Sequence, residues 1–183
     1  MRKNFGAKPY LYPMPVLIIG TYDENGVPNA MNAAWGGICG YKEIMIDLGE
    51  HKTTDNIRLN QAFTVSIADA AHMVEADYVG IVSANEVPDK VARAGLHTTK
   101  SEFVNAPIIE EFPIALECKL KHFTEDGIVG EILNVSIDER VLDDNGSVDP
   151  LKLCAISFDP VNNTYLKVTE KVGNAFSDGN KLK

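Results

Sequence analysis

The stretch VLIIGTYDENGVPNAMNAAWGG, residues 16–37, contains two unlike segments on either side of a turn. The first segment, VLIIGTY, is short and rich in β-branched residues, which predicts a strand. Residues 23–26 follow with the sequence DENG, and an Asn-Gly pair supplies the positive φ that a tight hairpin needs. The stretch therefore predicts a β-hairpin in which residues 28–37 form the returning segment.

The returning segment, PNAMNAAWGG, has small and amide side chains where a packed strand favours Val, Ile or Phe. Small residues let a flat ligand approach the backbone, and amides can donate and accept hydrogen bonds toward a heterocycle. Trp35 adds a broad apolar wall with one N–H donor. The same composition is typical of a strand end that packs against another subunit. Two interpretations of this segment, a ligand bed and a subunit contact, therefore stay open at the level of the residues.

Length and charge limit the class of protein. A length of 183 residues predicts one domain, which we assign to residues 1–183. Hydrophobic residues make up 45% and charged residues 23% of the sequence, and both values are ordinary for a globular protein. The net charge of −9 argues against a nucleic-acid backbone or an anionic membrane surface as the main partner. The sequence has no apolar run near the ~20 residues of a membrane span and no clean signal-peptide core. We therefore expect a cytoplasmic protein.

The cysteines and histidines give no metal or disulfide pattern. Cys39, Cys118 and Cys154 are odd in number and widely spaced, which fits neither a disulfide framework nor a zinc ligand set, so we expect reduced, buried thiols. The histidines lack the HxH or HExxH spacing that places two imidazoles on one metal; they are His51, His72, His97 and His122. A lone thiol such as Cys39 is expected to pack rather than to react.

Residues 49–61, GEHKTTDNIRLNQ, predict the transition from a strand to a helix. Thr53 or Thr54 is the expected N-cap, and the helix N-terminus then presents free N–H groups and a partial positive charge. Together with Lys52, these groups would suit a phosphate monoester, although a capped helix without a ligand has the same residues. Lys90 lies in the first turn of a second short helix, DKVARAG, where it is either a solvated surface group or aimed at a bound phosphate.

The remaining patterns are mostly those of strands. Pro13 and Pro15 remove ladder donors, so the first strand is expected to begin near Val16. Further strands are predicted at residues 44–48, 62–69, 114–123, 128–142 and 152–158. The first three predicted strands are consecutive and antiparallel, which suggests a β-meander or a barrel wall. Asp126-Gly127 predicts a second hairpin turn, and Gly130 predicts a bulge or a close backbone approach. The tail after residue 159 is weakly patterned.

Two of these segments have an expected buried face. In AAHMVEADYVGIVSA, residues 70–84, the apolar face of the helix is expected to contain Val74, Tyr78 and Val82. In IALECKLKHF, apolar and charged residues alternate, so that Glu117, Lys119 and Lys121 are expected on the polar face. The order of strands, two helices and strands predicts a mainly β fold, an antiparallel barrel with a helical insertion. No GxGxxG follows a strand, which disfavours a Rossmann domain and a P-loop.

Read together, several segments resemble the flavoredoxin-like branch of the flavin reductase family over nearly the whole chain. The segments are YPMPVLIIGTYDENGVPNAMNAAWGGIC, HKTTDNI, AFTVSIADAAHMVEADYVGIVS, VPDKVARAGL, NAPIIEEFPIALECKL and VGEILNVSIDERVLDDNG. The resemblance implies an FMN-binding split β-barrel with antiparallel, Greek-key-like strands, and non-covalent FMN in a homodimer with the flavin near the subunit interface. It also implies electron transfer between NAD(P)H and flavin, or onward to an acceptor.

The resemblance also assigns residues to the cofactor. The flavin ring and ribityl chain are placed along Asn29, Met31, Asn32, Ala33, Ala34 and Trp35. The phosphate is placed at Lys52, Thr53, Thr54 and Asn56, with Lys90 as a further contact. Two departures limit this transfer. Gly49-Glu50-His51 stands where many relatives carry an Arg or Lys, and the hairpin at residues 124–127 lacks a His that relatives carry, so no catalytic residue is assigned there.

These expectations give three hypotheses. The first is an FMN-dependent NAD(P)H oxidoreductase, a flavin reductase or a flavoredoxin-like electron carrier, in which the flavin supplies the chemistry. The sequence accordingly shows no convincingly spaced Ser-His-Asp set or carboxylate pair for acid–base work. The second is a non-catalytic flavin-binding or sensing module, and the third is a β-barrel assembly protein without a cofactor. The partners implied by the first are a flavin, a nicotinamide nucleotide and a second copy of the chain.

Overall fold

A computed structural model describes residues 1–125 and 127–183. Its strands are β1 Met14–Pro15, β2 Leu17–Tyr22, β3 Pro28–Ala33, β4 Gly36–Gly40, β5 Glu43–Ile46, β6 Ala62–Ile67, β7 Thr98–Lys100, β8 Pro107–Ile109, β9 Ile114–Thr124, β10 Gly127–Ile137, β11 Ile156–Asp159 and β12 Thr164–Lys167. Its α-helices are α1 Lys52–Asn60, α2 Met73–Ile81, α3 Lys90–Arg93 and α4 Pro150–Leu153. Two short 3₁₀ helices cover Glu139–Val141 and Asp178–Leu182.

The main sheet has seven antiparallel strands in the order β3-β2-β6-β9-β10-β5-β4. β3 and β4 lie at opposite edges, yet only Ala34 and Trp35 separate them in the chain. The sheet must therefore curl until its edges approach each other, and the Asp47 N–H, which donates to the Trp35 carbonyl at 2.8 Å, extends the β4–β5 pairing into this junction. We call this junction the seam. The predicted split barrel with a helical insertion is confirmed.

Of the two arrangements predicted for the first three strands, the barrel wall is correct, because β2, β3 and β5 all belong to this sheet. The β-meander is wrong, because β5 pairs with β10 and β4 rather than with β3. The hairpin that begins the sheet is confirmed. Gly26 has φ of +77°, and the Asp23 carboxylate accepts the N–H groups of Asn25 and Val27, both at 2.8 Å. This turn sets the pairing of Tyr22 with Pro28, from which the register of the whole β2–β3 pair follows.

The core has two layers, one on each side of the sheet. β2 contributes to both, because successive side chains point to opposite faces: Ile18 packs with Ala76 and Val79 of α2, whereas Leu17 and Ile19 pack in the cluster inside the barrel. A strand buried on both faces needs a continuous apolar run, which the VLII sequence supplies.

Two expected buried faces differ from the structure. On α2, Val74 is 68% exposed, and the buried side chains are Ala76 and Val79. The reason is close packing: a Cβ added to Gly80 would lie 2.8 Å from the Asn32 Cβ, so β3 accepts only small groups from this helix. On β9, Glu117 is buried rather than solvated, because its carboxylate accepts hydrogen bonds from Ser101 and, at 2.7 Å, from the Asn134 amide.

Of the two predictions for Gly130, the close backbone approach is confirmed, because a Cβ at Gly130 would lie 2.4 Å from the Phe63 ring. The register of β9 and β10 does shift between Val129 and Gly130, but the extra residue is Lys121, so the bulge lies on β9. The predicted turn at Asp126-Gly127 includes Asp126, which lies outside the described residues. The strands on its two sides pair with each other, beginning with Thr124 and Gly127.

The ends of the chain hold strands that were not predicted. Met14–Pro15 forms the short edge strand β1 against β11, although its prolines led us to begin the first strand near Val16. β12 lies in the weakly patterned tail and pairs with β11, so residues 152–158 do not contain the last strand. Among residues 1–125 and 127–183, no helix is both long and apolar enough to span a membrane.

Candidate functional site

The seam opens into a cavity of about 260 Å³, which we call the ring cavity. Five of the six residues predicted to hold the flavin ring and ribityl chain line it, namely Met31, Asn32, Ala33, Ala34 and Trp35. They meet there because β3 ends at the seam and the chain crosses to β4 at once. The small side chains of Ala33 and Ala34 leave the space that a larger strand residue would fill.

The opposite wall of the ring cavity comes from the β11–β12 hairpin. Phe158 of β11 lies with its ring centroid 6.1 Å from that of Trp35 and 6.2 Å from that of Tyr165 on β12. The three rings are tilted relative to one another, an arrangement that aromatic quadrupoles favour over face-to-face stacking. Phe158 and Tyr165 were not predicted as site residues, because their hairpin is short and its second strand was not recognised.

The amide of Asn32 is fixed by protein groups on one side only. Its Nδ2 donates to the Ala76 carbonyl at 3.1 Å and, at 3.4 Å, to the hydroxyl of Tyr165, which in turn donates to Asp77 at 2.8 Å. Burial, with the hydrogen bond to Asp77, raises the pKa of Tyr165 to about 12, so this hydroxyl stays protonated at physiological pH. Because Nδ2 is engaged, Asn32 offers the ring cavity its acceptor, Oδ1, which suits a ring N–H donor.

A second cavity of about 220 Å³, the phosphate cavity, adjoins the first, because Met31 and His51 line both. Four further predicted site residues line it, namely Asn29, Lys52, Thr53 and Lys90. The structure thus brings nine of the predicted residues to two connected cavities. The other two predicted site residues, Thr54 and Asn56, are buried and line neither of these two cavities. Their contact with a ligand stays a prediction.

Lys90 is a buried cation at the phosphate cavity. Its side chain is only 4% exposed, and its Nζ donates to the carbonyls of Val79 at 2.8 Å and Val82 at 2.7 Å, at the C-terminal end of α2. The negative end of a helix dipole favours a cation there. Burial lowers the pKa of Lys90 to about 8. An ammonium has three N–H donors, so one remains for a ligand in the cavity.

Lys52 approaches the same cavity from the other side. It forms an ion pair with Glu24 of the β2–β3 turn at 2.7 Å, and the Lys52 side chain is 22% exposed. The hydrogen bond to Glu24 raises the pKa of Lys52, which therefore stays charged in mildly alkaline solution. An anion in the cavity and the Glu24 carboxylate would compete for this ammonium.

The start of α1 corrects the predicted cap. The N-cap is His51, rather than Thr53 or Thr54. Thr54 Oγ1 accepts the His51 N–H at 2.7 Å and lies within hydrogen-bond distance of the carbonyls of His51 and Gly49. The N–H groups in the first turn of a helix have no acceptors within the helix. The first two residues of α1, Lys52 and Thr53, line the phosphate cavity. An anion there is favoured by the helix dipole.

A buried polar network lies behind the phosphate cavity. Asn29 Nδ2 donates to Thr53 Oγ1 at 2.8 Å and to Thr21 Oγ1 at 3.3 Å, and Asn56 Nδ2 donates to Thr21 Oγ1 at 3.1 Å. Asn29 Oδ1 is buried and has no hydrogen-bond partner among the described residues. A buried acceptor without a donor indicates a missing group, and an adjoining ligand would provide one. The residues present therefore fit a flavin nucleotide.

A third, apolar cavity of about 440 Å³ borders the ring cavity, with which it shares Ala34, Trp35 and Asp47. Its other side is formed by β5, including Met45, and by residues 1–13 before β1, which we call the N-terminal arm and which include Leu11. Leu11 is 66% exposed, so this cavity is an open groove along the arm rather than a closed pocket.

The cysteines take no part in these cavities. All three are free thiols: Cys118 is buried, Cys154 is half-buried, and Cys39 is exposed, which corrects the expectation that all are buried. Burial raises the pKa of the Cys118 thiol to about 12, so it stays protonated and unreactive. The described part of the chain contains no cluster of three or more His, Cys, Asp or Glu side chains that could hold a metal ion.

Comparisons with known proteins identify the family and the fold. The family model described as "Flavin reductase like domain" matches residues 10–160. Flavoredoxin of Desulfovibrio vulgaris (Miyazaki F) is 42% identical, with a TM-score of 0.93 over 98% of this chain and 100% of that chain. An FMN-binding protein from Thermus thermophilus, solved with bound 1-cyclohex-2-enone, has the same fold at 20% identity, with a TM-score of 0.77 over 95% of this chain and 99% of that chain.

Similarity to one sequence relative is partial. An uncharacterized protein of Aeropyrum pernix is 28% identical over 120 residues, which are 64% of this chain and 45% of that relative. The match therefore spans less than half of the relative's length.

Proposed function

Because the chain belongs to the flavin reductase-like family of FMN-binding split β-barrels, in its flavoredoxin branch, we propose that it is an FMN-binding oxidoreductase. In this proposal it takes electrons from NAD(P)H and passes them to flavin or onward to an acceptor. The observation that carries the proposal is the pair of connected cavities, one lined by aromatic and amide groups and the other by a buried lysine and a helix N-terminus.

The ring cavity would hold the flavin ring by shape and by one directed hydrogen bond. When bound, FMN supplies hydride-accepting and electron-releasing chemistry that no side chain provides. Trp35, Phe158 and Tyr165 would contribute apolar area and exclude water from one side, and Asn32 Oδ1 would accept a hydrogen bond from a ring N–H. These residues orient the ring and exchange no proton with it, since Tyr165 donates its proton to Asp77.

The phosphate cavity would hold the phosphate by charge. Lys90 would supply a fixed ammonium, and α1 would supply the N–H groups of its first turn. Lys52 would supply a second ammonium once its ion pair with Glu24 is broken. Charge-assisted hydrogen bonds of this kind contribute about 1.5–3 kcal/mol each. The phosphate therefore anchors the nucleotide, while the ring cavity sets how the ring lies.

The electron donor would enter through the apolar groove beside Trp35. This groove borders the ring cavity along Ala34 and Trp35, so a nicotinamide ring bound in it would lie next to the flavin site. The carboxylate of Asp47 at the shared wall disfavours a phosphate at that point and favours the uncharged or cationic part of a nicotinamide nucleotide.

The proposal includes a homodimer of single-domain chains. Apolar side chains on β4, β5 and β10 are exposed, namely Ile38, Met45, Leu133 and Val135, and such a set of exposed apolar residues is typical of a subunit interface. The proposal of a single domain is supported by β2, whose side chains enter both core layers. The cytoplasmic location stays a prediction from the sequence.

One spectroscopic experiment tests the function. The purified protein, supplied with FMN and desalted, should show flavin absorbance, and NADH or NADPH added without oxygen should bleach it. Flavin absorbance that neither nucleotide bleaches would leave the alternative, a non-catalytic flavin-binding module. A colourless protein that does not quench FMN fluorescence would overturn flavin binding altogether.

A further inference from the structure

The N-terminal arm is attached to the rest of the chain by few contacts. Its residues are all exposed, and they form no strand or helix. Of the side chains in the arm, only Tyr12 forms a hydrogen bond with a later part of the chain that the structure describes: its hydroxyl donates to the Asp159 carboxylate at the end of β11. A segment with so few buried contacts detaches from a fold easily. This hydrogen bond, which we call the latch, is therefore the directional contact that holds the arm before β1.

The acceptor of the latch is fixed by its own hairpin. The Asp159 side chain is 5% exposed, and its carboxylate accepts the N–H groups of Val161 at 2.9 Å and Asn162 at 3.2 Å, and the Asn162 amide at 2.7 Å. The hydrogen bond between them lowers the pKa of Asp159 and raises the pKa of Tyr12, so the carboxylate stays charged and the phenol stays protonated. Loss of the phenol hydroxyl should therefore open the latch and leave the hairpin folded.

The latch places the arm along the apolar groove. Pro9 and Leu11 line this groove, and the Leu11 N–H donates to the Pro9 carbonyl at 3.0 Å, which makes a tight turn directly before the latch. Trp35 lines the groove as well. The residue before Asp159 is Phe158, whose ring lies 6.1 Å from that of Trp35. One strand, β11, thus carries both a wall of the ring cavity and the acceptor that holds the arm.

Resting on the proposed function, in which the electron donor enters through the apolar groove, we propose that the N-terminal arm is the outer wall of the donor's site and that Tyr12 and Asp159 are positioning residues that hold it there. The donor's ring lies between Leu11 of the arm and Trp35. Apolar walls and the Asp47 carboxylate fit a flat ring without negative charge, such as a nicotinamide. The fraction of molecules with a docked arm then sets the apparent affinity for the donor.

Donor affinity tests this proposal in the FMN-loaded protein. The ligand is the tetrahydro form of whichever nucleotide, NADH or NADPH, bleaches the flavin, because this form cannot give up hydride. Its dissociation constant, measured from the change in flavin absorbance, should rise by about threefold to tenfold in Tyr12→Phe, since fewer molecules have a docked arm. FMN affinity should stay as in the wild type. With the reducing donor, the half-saturating concentration should rise by the same factor, and the bleaching rate at saturation should not change.

Two further variants separate the latch from a general effect on the arm. Tyr10→Phe is the matched control, because Tyr10 is 45% exposed against 48% for Tyr12 and its hydroxyl forms no hydrogen bond among the described residues. It should bind the analogue as the wild type does. Asp159→Asn removes the charge of the acceptor. A variant that combines this change with Tyr12→Phe should bind the analogue no worse than the weaker single variant, because both changes break one contact.

A second measurement needs neither FMN nor a donor. Trp35 is the only tryptophan of the chain, so its fluorescence reports on the groove. In the full chain without flavin, Tyr12→Phe should raise the constant for quenching of Trp35 by acrylamide by about 1.5-fold to twofold, because the detached arm no longer covers this side of the indole. Tyr10→Phe should leave the quenching constant unchanged.

Three results would overturn the proposal. The first is equal binding of the analogue by Tyr12→Phe and the wild type, and the second is an unchanged quenching constant in Tyr12→Phe. The third is a loss of FMN affinity as large as the loss of donor affinity, which would mean that Tyr12 supports the ring cavity instead. Failure of the proposed function has a different result: the wild-type protein then binds no FMN or no analogue, and the role of the arm fails with it.

Discussion

The two connected cavities of the site are built in opposite ways. The ring cavity is an aromatic and apolar space between segments far apart in the chain, the seam at Ala34–Trp35 and the β11–β12 hairpin. The phosphate cavity is a polar space with two lysines, of which one is fixed by carbonyls and the other is paired with a carboxylate. The ring cavity thus offers a ligand apolar area and a fitting shape, whereas the phosphate cavity offers positive charge. Changes at the ring end should affect all flavins alike, and changes at the phosphate end only FMN.

The largest expected effect comes from Lys90→Met, which removes the fixed charge and keeps an unbranched apolar stem as far as Cε. FMN affinity should fall by about tenfold to a hundredfold, because a charge-assisted hydrogen bond is lost, while riboflavin affinity should hardly change. Fluorescence titration with both ligands measures this. Lys119→Met, at an exposed lysine of β9, is the matched control and should behave as wild type. An equal loss for riboflavin would show that Lys90 supports the fold rather than the phosphate.

The pH dependence of binding should separate the two lysines. The pKa of Lys90 in the free protein is lowered to about 8, whereas the pKa of Lys52 is raised, so only Lys90 loses its proton near neutral pH. FMN affinity should therefore fall by about tenfold between pH 7 and pH 9, with riboflavin affinity flat over the same range. In Lys90→Met the fall should vanish. A fall that persists in this variant would assign the titration to another group.

The same shift predicts a stability change in the apoprotein. An unfolded lysine titrates near pH 10.4, above the folded value of about 8, so the unfolded state binds more protons between these two values. Lys90 should therefore add a rise in stability with pH over that window, as its buried ammonium is neutralised, so the wild type should gain stability relative to Lys90→Met. The Cys118 thiol, whose pKa is raised to about 12, ionises only in the unfolded state over this range and lowers the stability of both proteins alike. Urea denaturation at pH 7.5 and pH 9.5 measures the difference between the two proteins, and identical changes in both would contradict the burial of a charged Lys90.

At the ring end, Trp35→Ala should weaken FMN, riboflavin and lumiflavin by the same factor, about fivefold to tenfold, because the indole supplies apolar area and aromatic contact without touching the phosphate cavity. Val74→Ala, at an exposed apolar residue of α2, serves as the control. If Trp35→Ala affects FMN alone, the assignment of the two cavities is reversed.

The smallest effect is a gain. Glu24→Gln removes the carboxylate that holds Lys52, so the ammonium becomes free to reach an anion, and FMN affinity should rise by about twofold to fourfold at low salt. The gain should shrink at high ionic strength because the charges at this rim are partly exposed. Unchanged or weaker FMN binding would mean that Glu24 orients Lys52 toward the ligand instead of competing with it.

Much of this architecture could be predicted from local patterns. The β2–β3 hairpin follows from its turn residues, Gly130 predicts a close backbone approach, and the residues around Lys52 predict the start of a helix. The errors have a common cause. α2 is apolar on more than one side, so spacing alone favoured Val74 over the small, buried Ala76, and the alternation in β9 gave no sign that Glu117 finds Ser101 and Asn134 as partners.

The sequence by itself determined most strands of the main sheet and, through the family resemblance, predicted which residues around Asn32 and Lys52 belong to the site. Only the tertiary structure decided that β3 and β4 meet across the seam, that Phe158 and Tyr165 close the ring cavity, and that Asn56 stands behind Thr21. The physical reason is the distance along the chain over which each interaction acts. Turn chemistry and side-chain alternation act over a few neighbouring residues, whereas sheet closure and buried hydrogen bonds join groups that are adjacent only after the chain has folded.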